Sequence, residues 1–309
     1  MGAATRDAFG EAILEAGGDE RIVVLTGDLK DSTRVEAFAE RYPERFVECG
    51  IAESNMLGVA AGLALSGKVP WACSFSTFVA GRFETIRVSI AFQEANARIV
   101  GTHSGIGVGE DGYSQMAFED MGALRTLPNM AILNPADAEE TRQVVRYLVD
   151  HEGPAFLRLT RQGVQDVSPE GYRFEFGKAV RYRDGTDVAI LGTGATVGEA
   201  MKAAGLLAAD GVEARVIGVP TLKPFDEETV IAAAADCGAL VTVEDHSAFC
   251  GLGSATAETL AAHGSGVPLR VIGLRTFGES GTPAELYEKY GLTGDRVAAE
   301  VGEFLASIG

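Results

Sequence analysis

Positive charge is scarce in this chain. Lys and Arg number 26 against 44 Asp and Glu, for a formal net charge of −18. Such a field argues against nucleic acid or an anionic membrane as the main partner. It leaves small anionic substrates open, because a few well-placed arginines outweigh the global field locally. Cysteine is sparse too. Cys49, Cys73, Cys237 and Cys250 form no CxxC pair, so no disulfide framework is indicated. They read as reduced thiols of a cytosolic protein. No apolar run approaches the roughly 18 residues of a spanning helix. The N-terminus lacks a basic stretch followed by an apolar one, so no signal peptide is expected. A myristoylation motif would need Ser or Thr where Arg6 stands. GxSxG, a Walker loop and GxGxxG with a downstream acid are all missing. The four histidines, His103, His151, His246 and His263, show no i, i+4 pair and no Cys at ligand spacing, so no metal site is expected on this chain. The class expected is soluble, cytoplasmic and globular.

What is present is a core. Of 309 residues, 46% are hydrophobic and 23% charged, which excludes a mostly disordered chain. At roughly 100–200 residues per domain the length suits two domains. Short apolar runs bounded by Gly, Pro or charge predict strands at Ile22–Thr26, Val69–Phe75, Ala97–Gly101, Met130–Leu133, Ala155–Leu159, Val188–Leu191, Ala214–Ile217, Leu240–Glu244 and Leu269–Gly273. Helical patterns lie between them at Ser54–Leu65, Phe78–Gln93, Ala138–Val149, Ala195–Ala209, Asp226–Ala235, Ser254–His263 and Asp295–Ile308. The alternation predicts an α/β protein with two parallel-sheet domains. Thr160–Gly185 is charged and aperiodic and reads as a connection with a hairpin-like excursion. The division expected is 1–165, a linker over 166–184, and 185–309.

Several segments have the residue types for chemistry. GTHSGIGVGEDGYSQ, Gly101 to Gln115, follows a strand and carries His103, Glu110, Asp111, Ser114 and Gln115. It suits either a long surface loop or a binding loop at the C-terminal end of a parallel strand. GTGAT, Gly192 to Thr196, reads as a tight strand-to-helix turn rather than a phosphate cradle. Glu53 opens a helix whose next residues carry no charge. It can interact with the helix dipole or take part in proton chemistry, and periodicity does not choose. His246, in VEDHSAFCGLGS, suits a site or a helix-entry turn with Asp245 and Ser247 as caps.

The runs GDLKDST, ECGIAESNMLGVAAGLALSG, PWACSFSTFVAGRFETIR, GTHSGIGVGEDGYSQMAFEDMGALRTLPNMAILNPAD and AFLRLTRQ resemble, in order and spacing, the pyrimidine-binding domain of the transketolase family. VEDHSAFCGLGS and TFGESGTPAELYEKYGLT resemble that family's C-terminal domain, so the likeness covers the whole chain. The family's further N-terminal domain, marked by GDG and a later Asn that bind Mg²⁺ or Ca²⁺, has no counterpart here. The resemblance therefore implies the C-terminal subunit of a split, two-chain transketolase. Its partner chain would hold the diphosphate and metal of thiamine diphosphate, most simply in an α2β2 heterotetramer.

The resemblance also implies roles. Glu53 matches the glutamate that shares a proton with N1′ of the cofactor's aminopyrimidine, and Phe75 and Phe78 match its aromatic pocket. Arg6, Ser32, His103 and Arg161 match the phosphate-binding positions, with His103 also catalytic. Asp111 matches the contact to the donor's C2 hydroxyl, and Gln115 stands where some members use a histidine on the donor. Gly81 replaces a frequent pocket aromatic, and Lys30 and Asp31 replace smaller or apolar residues. The implied activity is transfer of a two-carbon ketol unit between ketose and aldose phosphates, as in the pentose phosphate pathway. Alternatives are a transketolase for a branched or sulfonated sugar, a chain like 1-deoxyxylulose-5-phosphate synthase or a 2-oxo acid dehydrogenase β chain, and a non-catalytic assembly protein.

Overall fold

Fully buried strands need apolar side chains on both faces, and the strongest runs of the first half satisfy this. In the computed structural model, which describes residues 2–309, β1 (Ile22–Thr26) and β3 (Val69–Phe75) are buried along their whole length. They pair in parallel with Ile22 opposite Val69. The other strands are β2 (Phe46–Glu48), β4 (Arg98–Thr102), β5 (Ala131–Leu133), β6 (Ala155–Arg158), β7 (Val180–Arg183), β8 (Val188–Gly192), β9 (Ala214–Gly218), β10 (Thr221–Lys223), β11 (Leu240–Ser247) and β12 (Leu269–Leu274). They form a seven-stranded sheet in the order β10-β5-β6-β4-β3-β1-β2 and a five-stranded sheet in the order β12-β11-β8-β9-β7. Each sheet is parallel except for one antiparallel edge strand, β10 on β5 and β7 on β9.

β10 ties the two halves together. It leaves the second half of the chain to extend the first sheet, and Leu222 joins the core that contains Ile132 and Leu127. Beside it, Gly194 takes a positive φ of 59°. A Cβ there would lie 2.5 Å from the Asn134 amide. The GTGAT turn is thus packed against the first sheet, as a tight turn rather than an open cradle.

Some boundaries differ from those predicted. β7 falls inside the segment read as linker. Its half-buried residues lack an apolar period, and no hairpin forms before it. Asp137 instead ties the strap down, its Oδ2 accepting from the Val167 and Ser168 amides at 2.8 and 2.7 Å. The helix predicted over Phe78–Gln93 is broken. Ser76–Ala80 is helical, Gly81 and Arg82 interrupt, and Ile86–Ala91 forms a π-turn. β11 runs three residues past its predicted end, because Asp245 and His246 find polar partners inside the protein. No helix among the described residues is long and apolar enough to cross a membrane.

Candidate active site

In the first sheet β1 lies between β2 and β3, so the chain reverses direction there. A crevice opens at the C-terminal ends of strands at such a switch point, where open α/β sheets place ligands. Three segments converge on it: the helix Glu53–Leu65 after β2, the end of β3, and the loop after β4.

Glu53 is the first residue of its helix and is only 4% exposed. Ser74, on β3, donates to its Oε1 at 3.0 Å. Among the described residues Ser74 is its one hydrogen-bond partner, so the second oxygen accepts no hydrogen bond from the protein.

The next residue on β3 begins an aromatic wall. Phe75 stacks on Phe78 with centroids 5.3 Å apart, and on His103 at 3.7 Å with the planes 19° apart. His103 sits at a positive φ of 56°, a strained position for a non-glycine residue. The Arg6 Nη1 donates to its Nε2 at 3.1 Å. Arginine has no acceptor, so the ring proton is on Nδ1 and points to the Thr102 hydroxyl 2.8 Å away. Burial pushes the imidazole pKa down to about 3, with further lowering from Arg6, Arg161 and Arg34. His103 is therefore a neutral ring at physiological pH.

The same arginines create a local positive field in a chain of net charge −18. Arg6 also donates to the Ser32 carbonyl at 3.1 Å, and its buried Nε makes no hydrogen bond among the described residues, with the Asp7 carboxylate 3.9 Å away. Its pKa is lowered by burial and by Arg34 and Arg161, against Asp7. An anion placed here would satisfy a donor now unpaired and relieve repulsion between cations. Arg161 donates to the Val108 carbonyl at 2.6 Å and lies 3.6 Å from Asp111 and 3.8 Å from Glu110.

Comparisons with known proteins identify the family to which this fold belongs. The family model described as "Transketolase, pyrimidine binding domain" matches residues 1–166, and "Transketolase, C-terminal domain" matches residues 177–297. The chain belongs to the transketolase family. A 6-deoxy-6-sulfo-D-fructose transketolase subunit of a Clostridium species is 41% identical over 96% of this chain and 94% of its own. One of the apulose-4-phosphate transketolase subunits of Phocaeicola vulgatus is 38% identical over 98% and 97%. A solved split-gene transketolase, in an inactive β4 tetramer, superposes with a TM-score of 0.91 at 44% identity and covers 99% of both chains.

Within this transketolase chain the predicted residues fall into two groups. Glu53, Phe75, Phe78, His103 and Arg6 are joined by direct contacts or through Ser74 and Thr102, and Arg161 adds its charge. Ser32 enters through its backbone carbonyl. Asp111 is held off by its pairing with Arg161. The Gln115 amide reaches Ser114 at 3.4 Å and contacts none of the other predicted residues. Sequence reasoning missed Ser74, Thr102 and Arg34. Ser74 and Thr102 carried a weak signal as hydroxyl residues inside buried strands. Arg34, paired with Asp7 at 2.6 Å, carried none.

Proposed function

We propose that this chain is the pyrimidine-binding subunit of a two-chain, thiamine-diphosphate-dependent transketolase acting on sugar phosphates of the pentose phosphate type. The observation that carries the reading is Glu53: a buried carboxylate with one oxygen fixed by Ser74 and the other free, beside the flat wall of Phe75 and Phe78. That donor set fits an aminopyrimidine ring. Glu53 would hold a proton at N1′, and the rings would bind the pyrimidine face through stacking and dispersion. Thiamine diphosphate, when bound, supplies the electron sink for breaking and forming the carbon–carbon bond. Arg6, Ser32, His103 and Arg161 would bind the substrate's anionic end, with His103 a neutral donor or acceptor as its partners require. Asp111, released from Arg161 by that anion, and Gln115 would meet the donor's hydroxyls.

Among the described residues no group of three or more His, Cys, Asp or Glu side chains is placed to hold a metal ion. The proposal puts the Mg²⁺ or Ca²⁺ and the diphosphate on a partner chain, in a cytoplasmic α2β2 assembly. Ile51, two residues before Glu53, is 84% exposed, and Leu65, at the far end of the same helix, is 64% exposed. The exposed Ile51, beside the proposed cofactor position, supports docking of that chain there.

The test is an assay of the assembled pair with thiamine diphosphate, Mg²⁺, xylulose 5-phosphate and ribose 5-phosphate. Sedoheptulose 7-phosphate is the expected product, and Arg161→Ala should raise the donor KM by about ten- to a hundredfold, as loss of a charged hydrogen bond does. No product from these sugars, with turnover of 6-deoxy-6-sulfo-D-fructose or apulose 4-phosphate, would replace the pentose phosphate assignment with a specialised one.

A further inference from the structure

Three ionisable residues in a row, Glu244, Asp245 and His246, lie near the end of the buried strand β11, and each is at most 4% exposed. Two of them have local tasks. Glu244 accepts from the Leu252 and Gly253 amides at 2.7 and 2.9 Å and so caps the helix Leu252–Ala262. His246 accepts from the Gly122 amide at 3.1 Å through Nε2, and its Nδ1 donates to the Ser247 carbonyl at 2.8 Å. It pins the short helix Asp120–Arg125.

Asp245 reaches out of the C-terminal domain into the glycine-rich loop. Its Oδ1 accepts from the Ile106 amide at 2.8 Å. Its Oδ2 accepts from the Gly107 amide at 3.5 Å and from the Tyr287 hydroxyl at 2.8 Å. Tyr287 in turn accepts from the Gln162 amide at 3.0 Å. Gly105 has a positive φ of 74°, and a Cβ there would lie 2.1 Å from Asp245 Oδ2. The carboxylate thus occupies the space a side chain would take. The loop has little regular structure of its own beyond short 3-10 turns at Ile106–Val108 and Tyr113–Gln115. A segment so rich in glycine does not order itself. Without Asp245 two buried amides lose their acceptor, which costs more than the bond itself contributed.

We propose that Asp245, braced by Tyr287, is a positioning residue for the substrate loop: it fixes the turn three residues after His103 and so sets the orientation of that imidazole. The C-terminal domain then shapes the substrate-binding wall from behind. This rests on the reading of His103 as a substrate-binding residue.

The test compares Asp245→Ala, Asp245→Asn, Tyr287→Phe and His103→Ala. Amide exchange is measured on the folded chain, and kinetics on the assembled pair with xylulose 5-phosphate as donor. The expected result is faster exchange at Ile106 and Gly107 in the Asp245 variants, with β1 and β3 unchanged. The donor KM should rise about tenfold, kcat should change far less, and thiamine diphosphate affinity should be preserved. Tyr287→Phe should move the same quantities in the same direction by less. If Asp245→Ala does not fold, Asp245→Asn and Tyr287→Phe decide. Unchanged loop exchange, or an unchanged KM in variants whose loop has loosened, overturns the proposal. If His103→Ala raises KM while the Asp245 variants do not, only the positioning role fails. If His103→Ala leaves KM unchanged, the substrate-site reading fails and this inference falls with it.

Discussion

The substitution Glu53→Gln is expected to lower turnover of the assembled enzyme by about 10²–10⁴-fold, the range a positioned proton-transfer group contributes. Glutamine keeps the volume and the oxygen that accepts from Ser74 at 3.0 Å. It cannot take up or return a proton at N1′. Fold, assembly and binding of the pyrimidine ring should therefore survive while kcat falls. Glu53→Ala should lose as much turnover and also leave the Ser74 hydroxyl unpaired. Ser74→Ala should cost far less, because the carboxylate remains. The competing role for Glu53 is a favourable interaction with the N-terminus of its helix, which contributes about 0.3–1 kcal/mol at most surface sites. That role predicts a lowered melting temperature with turnover per folded enzyme intact. Steady-state kinetics beside a thermal melt separate the two, and a Glu53→Gln enzyme retaining a tenth or more of parental kcat would contradict the proton role.

The largest stability effect is expected at Arg158, on β6. Its Nε bonds both oxygens of Asp120 at 3.0 and 2.9 Å. Its Nη2 donates to the carbonyls of Ala117 and Asp245 at 3.0 and 2.9 Å. The two side chains are 3% and 0% exposed, so water does not screen the pair. Asp120 also accepts from Ser76 Oγ at 2.5 Å, one residue beyond Phe75. Arg158→Met would leave a buried carboxylate without its cation, at a cost of about 3–5 kcal/mol. For a protein of this size that corresponds to a fall in melting temperature of about 10 °C. Adding Asp120→Asn should restore a large part of it, because the orphaned charge is gone. The control is Arg21→Met. Arg21 pairs with Asp19 at the surface with its side chain 51% exposed, where solvent screens such a pair and it adds little to stability. A scanning-calorimetry shift for Arg158→Met no larger than for Arg21→Met would show that the buried network does not join the domains as described.

The sequence makes some elements legible for a physical reason. β1 and β3 are continuous apolar runs, and they begin and end at the predicted residues. β10 is three residues long and pairs with a strand about ninety residues earlier in the chain, so no local pattern marks it. Charge normally closes a buried strand, which predicts an end to β11 at Glu244, yet there the charges are paired inside the protein. Glu53 stands out as a lone carboxylate before an uncharged helix, although periodicity leaves its role open. Arg6, Ser32, His103 and Arg161 lie on four distant segments, so spacing cannot group them. Family resemblance does, and the fold places Arg6, the Ser32 carbonyl and His103 in contact. Asp245 is visible in the sequence only as a candidate cap. Its contact with the glycine-rich loop spans 139 residues and requires the domain packing.

The central claim is that this chain contributes the pyrimidine half of a shared cofactor site and a partner chain contributes the diphosphate and metal half. Calorimetric titration of thiamine diphosphate with Mg²⁺ tests it most directly, first into the isolated chain and then into the chain mixed with a partner that carries GDG and the later Asn. The account predicts no saturable binding to the isolated chain and saturable, Mg²⁺-dependent binding to the mixture. Tight, Mg²⁺-dependent binding to the isolated chain would contradict it.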